Sequence, residues 1–100
     1  MSLVLIKNGQ VELRKESGSL IRTIASGHAI DANINGDSTL ILITLANGNV
    51  ELRKESGSLI RTIGSGHAKG AKFTGQDILI SLTTGKQELR KESGSLIRTI

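Results

Sequence analysis

Residues 11–24 read VELRKESGSLIRTI, and the same fourteen residues recur unchanged at 50–63. They recur again at 87–100, where Gln87 replaces the first valine. The copies begin 39 and 37 residues apart, and an aliphatic run precedes each of them. A repeat of this period indicates supersecondary modules that bury their apolar faces only against their neighbours. The chain is therefore expected to be a repeat array.

Within a unit the pattern indicates strands, because the segments are short, alternate in polarity and are separated by Gly, Asn and Ser. The predicted strands of the middle unit are 29–35, 39–45, 50–55 and 59–63. The second of these is apolar at nearly every position, which favours a strand covered on both faces. Asn47-Gly48 predicts a type I′ hairpin turn, in which both central residues have positive φ. Each unit is thus predicted to be an antiparallel four-stranded meander.

The composition excludes several classes of protein. The 100 residues contain no cysteine, so disulfides and thiolate metal sites are excluded and nothing points to an oxidising compartment. No apolar run approaches the roughly 18 residues of a membrane helix, and no signal segment is visible. No membrane is expected, and the cytoplasm is the default expectation for location. The net charge of +4 favours solubility.

The order and spacing of these segments resemble a WD40-type β-propeller blade. That family opens its repeat with Gly-His, which Gly27-His28 and Gly66-His67 match. Residues 50–54 resemble its third strand, and residues 58–63 resemble its fourth. The resemblance covers nearly the whole chain. It implies an all-β fold of antiparallel four-stranded blades.

The chain departs from the family where Trp-Asp would stand. Arg14-Lys15 and the equivalent Arg53-Lys54 and Arg90-Lys91 occupy those positions. The hydrogen-bond network that the family builds around its Trp and Asp therefore cannot form in full. The identity of the three long blocks also indicates recent duplication or deliberate construction.

The repeat predicts one domain of three units over residues 1–100. Residues 1–24 form a partial blade without its opening strand, and residues 25–63 and 64–100 form whole blades. Propellers close as rings of four to eight blades, whereas this chain holds eleven of the twelve strands of three blades. Apolar faces and free edges would remain exposed, so the expected partner is a second copy, with a dimer favoured. The alternative is a β-solenoid, in which successive units form the rungs.

The first strand of each whole unit corresponds to the inner strand of a propeller blade. These inner strands differ most between units and are the expected binding surface. They supply four candidate ligand contacts: Asp31, Asn33, Lys69 and Lys72. The favoured function is a non-enzymatic, self-assembling scaffold or interaction module. Two alternatives stay open. One is a purely structural duplicated or engineered fragment, and the other is a weak polyanion-binding or carbohydrate-binding propeller.

The two histidines, His28 and His67, occupy equivalent positions between Gly and Ala. They are interpreted as structural turn residues, in preference to a ring of imidazoles that binds metal after assembly. Asp31 is a weak candidate for acid chemistry, since Gly70 takes its place in the next unit. No motif for a cofactor, phosphate loop or nucleophile is present, so no cofactor and no catalytic residue are expected.

The repeated basic residues also allow weak phosphate contact, because each unit presents three cations. Each cation has a glutamate neighbour, and the chain has no Trp or Tyr on which bases could stack. Nucleic acid is therefore not expected as a partner. The repeated glutamates are expected on a solvated, charge-paired strand face.

Overall fold

The computed structural model describes residues 2–25, 28–63 and 66–100. These residues form eleven strands and no helix, and hence no helix that could cross a membrane. The strands are β1 (Ser2–Lys7), β2 (Gln10–Lys15), β3 (Leu20–Ala25), β4 (Ala29–Ile34), β5 (Leu40–Leu45), β6 (Val50–Lys54), β7 (Leu59–Ile63), β8 (Ala68–Thr74), β9 (Asp77–Leu82), β10 (Gln87–Lys91) and β11 (Leu96–Thr99).

The strands form three antiparallel sheets, each a simple meander. The first sheet has the order β1-β2-β3, the second β4-β5-β6-β7, and the third β8-β9-β10-β11. Every strand pairing joins neighbours within one unit of the repeat. The β-solenoid alternative is therefore wrong, because its rungs would pair strands of successive units. The short turns explain the difference, since they return the chain to the same sheet.

One hairpin prediction is wrong. In the turn at Asn47-Gly48 only Gly48 has a positive φ, of 90°. The Gly48 amide donates to the Leu45 carbonyl and the Leu45 amide donates to the Asn49 carbonyl, which is a type I turn followed by a left-handed glycine. The two-residue type I′ geometry occurs instead at Asn8-Gly9, with φ values of 53° and 78°. Two residues separate the paired Lys7 and Gln10, whereas three residues separate Leu45 from Asn49 at the equivalent place in the second sheet. Of these two loops, only the one in the first sheet has the length of a two-residue turn.

The sheets pack face to face through two hydrophobic clusters. Ile41 and Ile43 of β5 pack with Val11 and Leu13 of the first sheet. Leu42, on the opposite side of β5, packs in a second cluster with residues of the third sheet. Successive residues of a strand point to opposite faces. β5 is thus buried on both faces, as its sequence predicted.

The repeat makes positions in the three sheets equivalent. The pairing registers place Leu5, Ile43 and Ile80 opposite Glu12, Glu51 and Glu88, respectively. In the second and third sheets an inner strand, β4 or β8, precedes this central strand and pairs with it. Within the described residues the first sheet has no such strand, so its outermost strand on that side is β1.

Candidate functional site

The inner strands β4 and β8 are joined by side-chain hydrogen bonds. Asn33 Nδ2 donates to the Ala71 carbonyl oxygen at 2.6 Å. Asp31 Oδ2 accepts from the Ala71 amide and from Asn33 Nδ2, both at 3.3 Å. Two side chains of β4 therefore hold both backbone polar groups of one residue in β8. We call these two side chains, Asp31 and Asn33, the inner clamp.

Strand alternation produces this arrangement. Asp31 and Asn33 share the face of β4 that is turned towards the third sheet, whereas Ala32 and Ile34 pack in the cluster with the first sheet. The small residue opposite Asp31 is Gly70. A Cβ atom at Gly70 would lie 3.2 Å from Asp31 Oδ2, closer than ordinary van der Waals contact. Glycine at this position therefore leaves room for the carboxylate.

Three of the four predicted ligand contacts border one shallow cavity of about 220 Å³ at this junction. Its lining is Asp31, Asn33, Gly70, Ala71, Lys72, Leu79, Ser81 and Gln87. Lys72 is exposed there. Lys69 is exposed as well but does not line the cavity. Asp31 and Asn33 thus serve the junction between sheets as well as the cavity wall.

The histidines stand directly before the inner strands and are exposed. The His28 carbonyl accepts a hydrogen bond from the Ala46 amide at 2.7 Å, and the His67 carbonyl accepts one from the Thr83 amide at 2.9 Å. Gly27, which precedes the first of them, lies outside the described residues, as do Gly64 and Ser65 of the next linker. In the ranges that the structure describes, no group of three or more His, Asp or Glu side chains could hold a metal ion.

The next residue of each unit joins two sheets through the backbone. The Ala29 amide donates to the Gly9 carbonyl at 2.9 Å, and the equivalent Ala68 amide donates to the Gly48 carbonyl at 3.0 Å. Each inner strand is therefore tied at its first residue to a turn of the preceding sheet. These bonds repeat because the sequence around them repeats.

The arginine at the tryptophan position of the family has a structural role that the sequence did not predict. Arg53 pairs with Glu51 at 2.9 Å and donates to the Gly57 carbonyl at 2.7 Å. The same pairing occurs between Arg14 and Glu12 and between Arg90 and Glu88. These glutamates are largely covered rather than solvated as predicted. Their spacing of two residues, on one face of a strand, is the signal that could have indicated the pair.

In the part of the chain that the structure describes, two outer faces of the stack have no neighbouring sheet. The N-terminal end face carries Leu3 and Leu5 of β1, which are equivalent to the buried Ile41 and Ile43. The C-terminal end face carries the third-sheet residues that are equivalent to the buried Leu42, Thr44, Val50, Leu52 and Ile63, namely Leu79, Ser81, Gln87, Leu89 and Ile100. No described strand packs on the side of the first sheet that precedes it or on the side of the third sheet that follows it. Both faces are thus halves of a junction that the chain makes twice internally.

A comparison with protein-family models gives no match, and neither does a comparison with curated proteins. Among solved structures, 139 chains match. One is the crystal structure of the C-terminal WD40 domain of Sif2, with a TM-score of 0.75 and 16% sequence identity. The match covers 98% of this chain and 30% of that chain, so the present chain spans about a third of its length. A likeness at this identity shows the fold, and it confirms the resemblance inferred from the repeat. The chain therefore has a WD40-like β-propeller fold, in which antiparallel sheets stack as blades.

Proposed function

We propose that the chain is a non-enzymatic propeller module that closes with a second copy and serves as a scaffold for protein interaction. The observation that carries the proposal is the pair of unmatched end faces. Each presents apolar side chains at positions that are buried at the internal junctions. Apolar surface of this kind favours association with a complementary face.

At the N-terminal end face, Leu5 is 49% exposed, whereas Ile43 and Ile80 at equivalent positions are 0% exposed. At the C-terminal end face, Ile100 is 64% exposed, and its equivalent Ile63 is 1% exposed. The internal junctions bury these positions against an adjoining sheet. A second copy could do so at both ends.

The two end faces also fit each other at the outer rim. Gly57 of the second sheet lies beside Ile24 of the first, and Gly94 of the third sheet lies beside Ile63 of the second. In the described part of the chain, nothing lies within 4 Å of a Cβ atom built at the equivalent Gly18. Ile100 is the isoleucine that would lie beside Gly18 of another copy. This complementarity favours a head-to-tail contact, in which the C-terminal end face of one copy packs on the N-terminal end face of the other. Two such contacts would close two chains into one ring.

The experiment is light scattering on a sizing column with two end-face variants. Leu5→Glu places a charge on the N-terminal end face, and Ile100→Glu places one on the C-terminal end face. Leu59→Glu is the matched control, because Leu59 is 50% exposed but lies on the outer edge of the second sheet, away from both faces. We expect a mass of two chains for the parent and for Leu59→Glu, and a mass of one chain for each end-face variant.

Mixing the two end-face variants distinguishes the directions of assembly. A head-to-tail contact uses one face of each kind, so the Leu5→Glu chain and the Ile100→Glu chain retain one intact contact between them. We therefore expect the mixture to form dimers. A parent that is monomeric, or a dimer that survives in either end-face variant alone, contradicts the proposed ring.

The binding surface in this proposal comprises the inner strands and their cavity. Because Leu79, Ser81 and Gln87 of the C-terminal end face also line the cavity, a second copy in the ring would border it. Asp31, Asn33, Lys69 and Lys72 remain the proposed ligand contacts, and residues 1–24, 25–63 and 64–100 remain the proposed units. The polyanion alternative has less support, because the arginine of each Glu-x-Arg pair is already held by a carboxylate and a turn carbonyl. A structural fragment without a ligand would assemble in the same way but leave the cavity without a binding role.

A further inference from the structure

Strand β1 is an edge strand where its counterparts are not. In the second sheet β4 pairs with β5, and in the third β8 pairs with β9. β1 pairs with β2 alone among the residues that the structure describes. It also exposes Leu3, Leu5 and Ile6. An exposed apolar edge strand is a template on which another extended chain can pair.

We propose that the free edge of β1 is a strand-acceptor site for an extended segment of a partner protein. The segment would pair antiparallel with β1 and take the place that β4 and β8 take beside their own central strands. In both of those pairings, β4 with β5 and β8 with β9, the same repeat already accepts an inner strand. The site exists in a single chain, so it does not depend on the ring proposed above.

The two inner strands define which segment fits. Both have alanine at the first and fourth positions and a large apolar residue at the sixth: Ala29, Ala32 and Ile34 in β4, and Ala68, Ala71 and Phe73 in β8. The second-sheet register would place these three positions opposite Lys7, Leu5 and Leu3. The pattern small-x-x-small-x-apolar is therefore the expected specificity of the site.

The third and fifth positions of the segment face β4. At the internal junction, Asp31 approaches Gly70 so closely that a Cβ atom there would crowd the carboxylate. In the proposed site β4 takes the part that β8 takes at the internal junction, and it has Asp31 where β8 has Gly70. The Cβ atom of Asp31 would crowd a large side chain at the third position of the segment, so a small residue is needed there. Its fifth residue takes the place of Asn33, which donates to the Ala71 carbonyl. A donor at this position could bond to the equivalent carbonyl of Ala32.

The sequence of residues 67–74, HAKGAKFT, meets all of these conditions. It has alanines at the first and fourth inner-strand positions, glycine at the third, lysine as the donor at the fifth and phenylalanine at the sixth. As a synthetic peptide with a fluorescein label it is the probe. The matched control is HKAGKAFT, which has the same composition but shifts each alanine by one position and thus to the other face.

The experiment measures fluorescence anisotropy of the labelled peptide against the full chain. We expect saturable binding of HAKGAKFT and binding that is weaker by about tenfold or more for HKAGKAFT. Hydrogen exchange on the same samples locates the site. The amides of residues 2–7 should exchange more slowly with the peptide bound, while those of β3, β7 and β11 should not change.

A grafted variant blocks the site from within the chain. The register makes Ser2 equivalent to Asp77, since they pair with Lys15 and Lys91. Residues 67–76 precede Asp77, so HAKGAKFTGQ is placed before Ser2, and HKAGKAFTGQ is the matched control graft. We expect the first graft to abolish peptide binding and the second to leave it within about twofold of the parent.

Any of three results would overturn the proposal: equal binding of the two peptides, slower hydrogen exchange at another strand edge, or peptide binding that survives in the HAKGAKFTGQ graft. Failure of peptide binding to a two-chain ring would overturn this inference alone. A monomer that binds HAKGAKFT and protects residues 2–7 would overturn the ring and leave the strand-acceptor site standing. Light scattering on each sample separates these outcomes.

Discussion

Ile63 and Ile100 end identical stretches of sequence, yet one is 1% exposed and the other 64%. Ile63 lies between the second and third sheets, where the turn at Gly94 covers it. Ile100 lies on the C-terminal end face, against which no described strand packs. The comparison shows that a repeat unit presents an apolar face but does not itself bury it. Burial depends on the neighbouring unit.

The same comparison holds where the sequences differ. Thr44 and Val50 are buried at the internal junction, and their equivalents on the C-terminal end face are Ser81 and Gln87. The end face is therefore more polar at this point. Thr44 and Val50 lie in strands that pack against inner strand β8. Among the described residues the first sheet has no inner strand. In the proposed ring, the polar Ser81 and Gln87 would therefore meet a first sheet that has no inner strand to cover them.

The largest expected effect comes from the core leucine at the two places. Leu52 is fully buried, and its equivalent Leu89 is half-buried on the C-terminal end face. We expect Leu52→Ala to lower the free energy of unfolding by about 2–5 kcal/mol, because it leaves a cavity between two sheets. Leu89→Ala should cost less than half as much in the single chain. Urea unfolding followed by circular dichroism, at concentrations too low for assembly, measures both.

The concentration dependence sharpens this comparison. If two chains cover the C-terminal end face, the loss caused by Leu89→Ala should grow as the protein concentration rises, while that caused by Leu52→Ala should not. Equal losses in the single chain would mean that the two positions are equally buried, contrary to the structure.

A smaller effect is expected at the turn glycines. Gly48 and Gly85 have φ values of 90° and 92°, so alanine is strained at both. Only at Gly48 would the new Cβ atom overlap the carbonyl group of Gly66. Gly85→Ala should cost about 1 kcal/mol for the backbone alone. Gly48→Ala should cost about 1–2 kcal/mol more, since the linker must also move.

Thermal unfolding of the two glycine variants, under the same low-concentration conditions, checks this order. A larger loss for Gly85→Ala than for Gly48→Ala would contradict the close approach at the internal junction.

The smallest effect is expected at the inner clamp. Asn33→Ala removes the bond to the Ala71 carbonyl and should cost about 1–2 kcal/mol, because that carbonyl loses a partner in a partly buried place. Lys72 holds the equivalent position in the third sheet and is exposed. Lys72→Ala should change the free energy of unfolding by no more than about 0.5 kcal/mol. An unchanged stability for Asn33→Ala in urea unfolding would show that the clamp does not hold the sheets together.

Much of the fold could be predicted because it depends on local patterns. The alternation in each unit predicted four strands, and the observed bounds differ from the predicted ones by one residue at most. The turn at Asn47-Gly48 was predicted wrongly, since the spacing of the paired strands, not the dipeptide, selects the turn type. The role of Asp31 and Asn33 could not be predicted either. It depends on which backbone groups of another unit lie opposite them.

The sequence by itself determined the repeat, the strand order within each sheet and the two kinds of strand face, because these follow from contacts between residues close along the chain. The tertiary structure alone decided which copies of identical residues are buried, how far the glutamates of the Glu-x-Arg pairs are covered and which strand edge stays unpaired. Those properties depend on packing between residues of different units, and therefore on whether a neighbouring unit is present. Residues 12–24, 51–63 and 88–100 are identical in sequence, and only their positions in the stack make them differ.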